Sequence, residues 1–110
     1  MKGDREYLLY VLECIAKIEE DVCGGRAAFE ASRMIQDAVI RNLQIMAESA
    51  KRVSSETKSK NPQIDWIGIT GLRNVLVHDY FKVDVAIVWR IVEQQVPELK
   101  AAVEQILALS

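Results

Sequence analysis

Arg73, His78 and Tyr80 are the side chains of this sequence best suited to chemistry. His78 is the only histidine in 110 residues, five positions after Arg73 and two before Tyr80. An imidazole exchanges protons near neutral pH, and a guanidinium neutralises a phosphate in a two-pronged contact. Such parts serve phosphoryl chemistry without a metal. Residues five apart on an α-helix lie about 140° apart around its axis. Arg73 and His78 therefore cannot project side by side from one continuous helix. Arg73 must reach round, the helix must break before His78, or a second subunit must contribute. Asn74 is four residues from His78, within about 40°, so its amide could fix the imidazole tautomer.

The elements that must position these groups read as helix after helix. Tyr7, Leu8, Val11, Cys14, Ile15 and Ile18 recur at three- and four-residue steps and predict a helix from about Asp4 to Val22. Gly24 and Gly25 supply left-handed positions to end it. A longer pattern predicts a second helix from about Ala27 to Ser54, with Ile35, Val39, Leu43, Met46, Ala50 and Val53 as its main stripe. Met34, Ile40 and Ile45 widen its apolar surface beyond what one neighbour covers. Either a multi-helix core or a subunit interface accounts for that width. Ser54 to Pro62 is polar, lacks apolar periodicity and reads as a loop.

A third helix is predicted from Asp65, a candidate N-cap, to about Val77. Gly68 and Gly71 on it each weaken a helix by about 1 kcal/mol relative to alanine, which suggests close approach of another backbone. A nucleotide-clamping GxxG loop is a poor match, because no βαα context surrounds it. A fourth helix opens at Val83-Asp84 with Ile87, Val88, Ile91 and Val92 inward. Pro97 suits the first turn of a fifth, whose stripe is Leu99, Val103, Ile106 and Leu107. Trp66, Trp89, Phe29 and Phe81 read as core or interface aromatics. The sequence thus specifies one domain over residues 1–110, an all-α up-and-down bundle of four to five helices.

Composition narrows the functions. A net charge of −2 excludes a generally basic nucleic-acid coat. Positive charge gathers locally at Lys51, Arg52, Lys58 and Lys60. Read alone, these are solvated cations near a helix C-terminus; they become RNA-contact candidates if the Arg-His stretch lies nearby. Cys14 and Cys23 match no zinc spacing, and no carboxylate cluster surrounds the motif, so no metal or cofactor is expected. With no signal-peptide pattern and no apolar run long enough for a bilayer, the expected location is cytoplasmic, without membrane contact.

The stretch from Trp66 to Asp84, including Arg73-x4-His78-x-Tyr80, Asn74, Asp79 and Phe81, resembles the HepT toxins of the HEPN superfamily. Met46-Ala-Glu-Ser-Ala50 is similar to that family's Gly-Glu-Ala segment, with Ala47 in place of the glycine. The resemblance implies a HEPN-like fold and a metal-independent endoribonuclease in which Arg73 and His78 are catalytic. Asn74, Asp79 and Glu48 would support them. It implies a homodimer with a composite site, and an RNA substrate, tRNA or mRNA. A dimer also fits the chemistry, since attack by the RNA's own 2′-hydroxyl calls for both a base and an acid, and each chain has one imidazole.

It further implies an antitoxin partner, the minimal nucleotidyltransferase MNT, which transfers AMP onto Tyr80. This chain lacks a nucleotidyltransferase's Gly-Ser and paired-Asp motif and would be the substrate of that reaction. Two other classes compete. One is a non-catalytic nucleotide- or substrate-binding helical partner of a nucleotidyltransferase; the other is a structural dimerising bundle, with Glu48 merely a solvated surface residue.

Overall fold

A computed structural model describes residues 2–78 and 84–109, and within them all side chains but those of Lys2, Arg73, Val75, Val77 and His78. The described residues form α1 (Lys2–Asp21), α2 (Gly25–Ala31), α3 (Arg33–Lys51), α4 (Ser55–Lys60), α5 (Trp66–His78), α6 (Val85–Arg90), a π-helical turn (Ile91–Gln95) and α7 (Val96–Leu109). They contain no strand. The fold is all-α, as the hydrophobic periodicity requires. Four long rods build the bundle: α1, α3, α5, and α6 continued through the π turn into α7. The central helix pair is α1 with α3; α5 packs on α3, and α7 on α1.

The core follows the predicted stripes. Leu8, Val11, Cys14, Ile15 and Ile18 of α1 are buried against Val39, Leu43, Met46 and Ala50 of α3. Leu72 and Leu76 from α5 and Val103 from α7 close the centre. Ser49 fastens the first pair by donating its hydroxyl to the Tyr7 carbonyl at 2.9 Å.

The predicted long second helix is in fact two. Ser32 takes an extended conformation (φ −124°, ψ 109°) and caps α3, its hydroxyl accepting from the Ile35 N–H at 3.2 Å. Gln36 donates its amide to the Phe29 and Glu30 carbonyls at the end of α2, at 3.0 and 3.1 Å. Both helix ends are thus satisfied at the break. The apolar pattern hid it because a single serine interrupts the backbone and scarcely disturbs the periodicity. Turning α2 aside sets Phe29 on Trp89 of α6, ring centroids 5.3 Å apart. The Trp89 indole N–H is buried without a partner among the described residues. Of Gly24-Gly25, only Gly25 is left-handed, at φ +88°.

The predicted loop from Ser54 to Pro62 contains α4. Such a short, polar helix carries no stripe of its own and is held by Asp4 from the start of α1. The Asp4 carboxylate is buried and accepts from the Ser54 N–H (2.9 Å), the Ser54 hydroxyl (2.6 Å) and the Thr57 hydroxyl (2.5 Å). Burial pushes this carboxyl up, but the hydrogen bonds from Ser54 and Thr57 outweigh it and hold it below the ordinary carboxylate range. A carboxyl depressed in the folded state adds stability above its unfolded pKa, and that stability is lost as pH falls through the folded value. Asp4→Asn should therefore lower the unfolding free energy at pH 7 by about 1.5–3 kcal/mol, the range for hydrogen bonds to a charged group. The gap between wild type and variant should narrow below about pH 4 in urea titrations; a gap that does not change between pH 7 and pH 3 contradicts the assignment.

Asp65 caps α5, its carboxylate accepting from the Gly68 N–H at 2.9 Å. Among the described residues, neither glycine of α5 marks a close backbone contact. A Cβ on Gly68 would collide with the Asp65 carboxylate, whereas one on Gly71 would meet no described atom within 4 Å. At the far end, Asp84 caps α6 by accepting from the Ala86 N–H at 2.9 Å. Val88, Ile91 and Val92 are buried as predicted, but Ile87 is 43% exposed. Trp89 is turned inward instead, which rotates the buried sector away from Ile87.

The fourth and fifth helices run on without a loop. Pro97 lacks an N–H, and its ring would crowd the Glu93 carbonyl of a regular α-helix. The preceding π turn, in which the Val96 N–H donates to the Ile91 carbonyl, widens the rod at that point.

Candidate active site

The site is built on two packed helices. α5 carries Arg73, Asn74 and His78, and α3, against which it packs, carries Glu48. α5 continues as a helix through His78, so the backbone does not break before the histidine. That removes one of the three ways of bringing Arg73 and His78 together. A reaching side chain or a second subunit remains, because the two positions stay about 140° apart on one rod.

Asn74 is exposed one helical turn before His78. The side chains of Arg73 and His78 lie outside the described structure, as do Asp79, Tyr80, Phe81 and Val83 entirely.

Glu48 is half-buried on a groove of about 640 Å³ that runs beside α3 and α1. Its neighbours there include Tyr7, Tyr10, Arg41, Gln44 and Arg52. Arg41, Gln44 and the two tyrosines did not stand out in the sequence as site residues. Gln44 and Arg41 lie four and seven residues before Glu48 on α3, and the two tyrosines three apart on α1, a helical spacing that could have singled them out.

The basic cluster is at the other end of α5. Lys58 donates to the Lys51 carbonyl at 3.0 Å, closing the end of α3, and sits 5.9 Å over the Trp66 ring. Lys60 pairs with Glu56 at 3.1 Å on the surface, and Lys51 and Arg52 are exposed. Trp66 opens α5 and His78 closes it, so Lys58 lies about 18 Å along the helix from the histidine, by a rise of about 1.5 Å per residue. Cys14 is buried and Cys23 exposed, and both are free thiols. Burial pushes the Cys14 thiol up, which makes it a packing group and a poor nucleophile. Among the described residues no three His, Cys, Asp or Glu side chains converge on a common point, and no helix is long and apolar enough to cross a membrane.

Residues 11–106 match the family model described as "Ribonuclease HepT-like". The chain belongs to the HepT-like ribonuclease family. It is 33% identical over 108 residues to the "Probable ribonuclease HepT" of Thermococcus cleftensis, a match that covers 96% of each chain. A "Putative RNase" of Methanocaldococcus jannaschii is 40% identical over 76 residues, covering 69% of this chain and 70% of its own. A "Putative RNase" of Caldanaerobacter subterraneus is 33% identical over 108 residues, covering 97% of this chain and 96% of its own. No solved structure matches. The bundle, with Arg73-x4-His78 on its third long rod, is thus a member of a ribonuclease family whose matched region takes in the whole motif.

Proposed function

We propose that this protein is the toxin of a toxin–antitoxin pair: a metal-independent endoribonuclease, homodimeric, located in the cytoplasm, and silenced when an MNT nucleotidyltransferase transfers AMP to Tyr80. The observation that carries this reading is the family match over residues 11–106, which encloses an intact Arg73-x4-His78-x-Tyr80.

In this reading an imidazole takes the proton of an RNA 2′-hydroxyl, and the 2′-oxygen attacks the adjacent phosphorus. The P–O5′ bond breaks and the leaving 5′-oxygen receives a proton, giving a 2′,3′-cyclic phosphate and a 5′-hydroxyl. Arg73 neutralises the charge that builds on the phosphoryl oxygens. Glu48, on the helix that packs against α5, orients Arg73, and Asn74 fixes the His78 tautomer; Asp79 assists in placing the histidine. The single imidazole per chain, and the unbroken helix that holds Arg73 and His78 apart, support a composite site shared by two copies. Lys51 and Lys60 attract the RNA backbone to the far end of α5.

Purified protein incubated with total RNA in excess EDTA is expected to cut it, leaving ends that ligate as 5′-hydroxyls. Sequencing those ends identifies tRNA or mRNA as substrate. RNA that stays intact with EDTA and is cut with Mg²⁺ would overturn the metal-independent mechanism. RNA that stays intact under both conditions would favour a binding partner without nuclease activity.

A further inference from the structure

We propose that the outward face of α3 is the dimer contact, where a second copy of this chain docks antiparallel about a two-fold axis between Gln44 and Ile45. The inference rests on the homodimer of the proposed function and says which surface forms it.

At about 100° per residue, Asp37, Arg41, Gln44, Ile45, Glu48 and Arg52 fall within about 100° of one another around α3. That sector lies opposite the buried one formed by Val39, Leu43, Met46 and Ala50. Asp37, Arg41 and Arg52 are exposed, and none is in an ion pair among the described residues. Gln44 and Ile45 are half-buried at the centre of the row. Tyr10, 45% exposed, forms one wall of the adjoining groove, and Met34, 80% exposed, extends the face with apolar surface at the start of the helix.

The order of charges along the row is acidic, basic, acidic, basic: Asp37, Arg41, Glu48, Arg52. Reversed about the point between Gln44 and Ile45, this row is complementary to itself. Arg41 comes level with Glu48 of the second copy, and Asp37 with Arg52, each pair occurring twice by symmetry. The inner pairs lie about 5 Å along the helix from the axis and the outer pairs about 11 Å. The Glu48 carboxylate has two oxygens and can accept from the second copy while keeping a contact inside its own chain.

RNA fits this face less well. With Glu6 on the groove wall, three carboxylates stand against two guanidiniums, a balance that does not attract a polyanion. Arg52 is thereby assigned to the partner copy and not to RNA.

The test is a charge exchange read by light scattering and sedimentation, with circular dichroism confirming that each variant remains helical. Arg41→Glu sets like charges opposite Glu48 of the second copy, and Glu48→Arg sets like charges opposite Arg41 of the second copy. Each variant alone should dimerise about tenfold more weakly or worse than wild type. Mixed together, the two should form a one-to-one heterodimer, since every cross-pair is then complementary. The same should hold for Asp37→Lys with Arg52→Glu, both at exposed positions where folding is not at stake. Variants that dimerise as wild type does, or that fail to recombine when mixed, would overturn this contact and leave the homodimer reading intact. A monomeric wild type would overturn the homodimer reading itself. Variants that stay dimeric but bind RNA less tightly would give the face to RNA, against the proposal.

Discussion

His78→Ala is expected to lower the rate of RNA cleavage by about 10²–10⁴-fold, the contribution of one positioned proton-transfer group. Loss of both of its roles in a symmetric dimer would place the result at the upper end of that range. No second histidine exists in the chain to substitute for it. Arg73→Ala should reduce cleavage comparably, because phosphoryl charge in a water-excluded site is worth far more to neutralise than in bulk water. Arg73→Lys should not rescue it fully, since an ammonium lacks the two-pronged fork. Both positions are on the helix α5 and alanine is the strongest helix former, so both variants should keep the wild-type helical signal.

A mixture of His78→Ala and Arg73→Ala chains adds a second readout. If the site draws Arg73 and His78 from different copies, mixed dimers hold one complete Arg73–His78 pair, with a single imidazole, and recover part of the activity that each variant lacks. If both come from the same chain, no mixed dimer has an intact site. Unreduced cleavage by purified His78→Ala protein would remove the histidine from the mechanism altogether.

Coexpression with an MNT nucleotidyltransferase should add one or more AMP masses to the peptide containing Tyr80, and the modified protein should have no measurable ribonuclease activity. The block should persist after the antitoxin is removed, because the phenol oxygen is joined to the AMP phosphorus, with pyrophosphate leaving from ATP. The adduct brings negative charge and bulk to a position two residues from His78, where both oppose an incoming RNA phosphate. Tyr80→Phe keeps the ring and removes the acceptor oxygen, so it should emerge from coexpression unmodified and active. Wild-type protein that is silenced without any added mass would point to an antitoxin that acts by binding alone.

The amino-acid sequence determines a good deal of this protein by itself. The three- and four-residue spacing of Leu8, Val11, Ile15 and Ile18, and of Val39, Leu43, Met46 and Ala50, dictates helices whose apolar sides must meet. The Arg73-x4-His78-x-Tyr80 pattern and its surroundings carry the resemblance to the family, and the family match runs through them. Asp65 and Asp84 were readable as caps or helix starts, since a short carboxylate before an apolar run has one favourable use there.

The tertiary structure decided what depends on atoms distant in sequence. Ser54–Pro62 has no stripe to betray a helix, and α4 forms because Asp4, some fifty residues earlier, enters its first turn. The break at Ser32 is invisible to periodicity, since it is made by one hydroxyl and by Gln36 reaching back to α2. Ile87 and Trp89 compete for one buried sector, and the partner ring of Phe29 settles the choice. The excess apolar width of α3 stayed ambiguous in one dimension. Its physical meaning emerges only when the helix is seen with one sector packed in the core and the opposite sector, where Asp37, Arg41 and Arg52 have no ion pair among the described residues, turned outward.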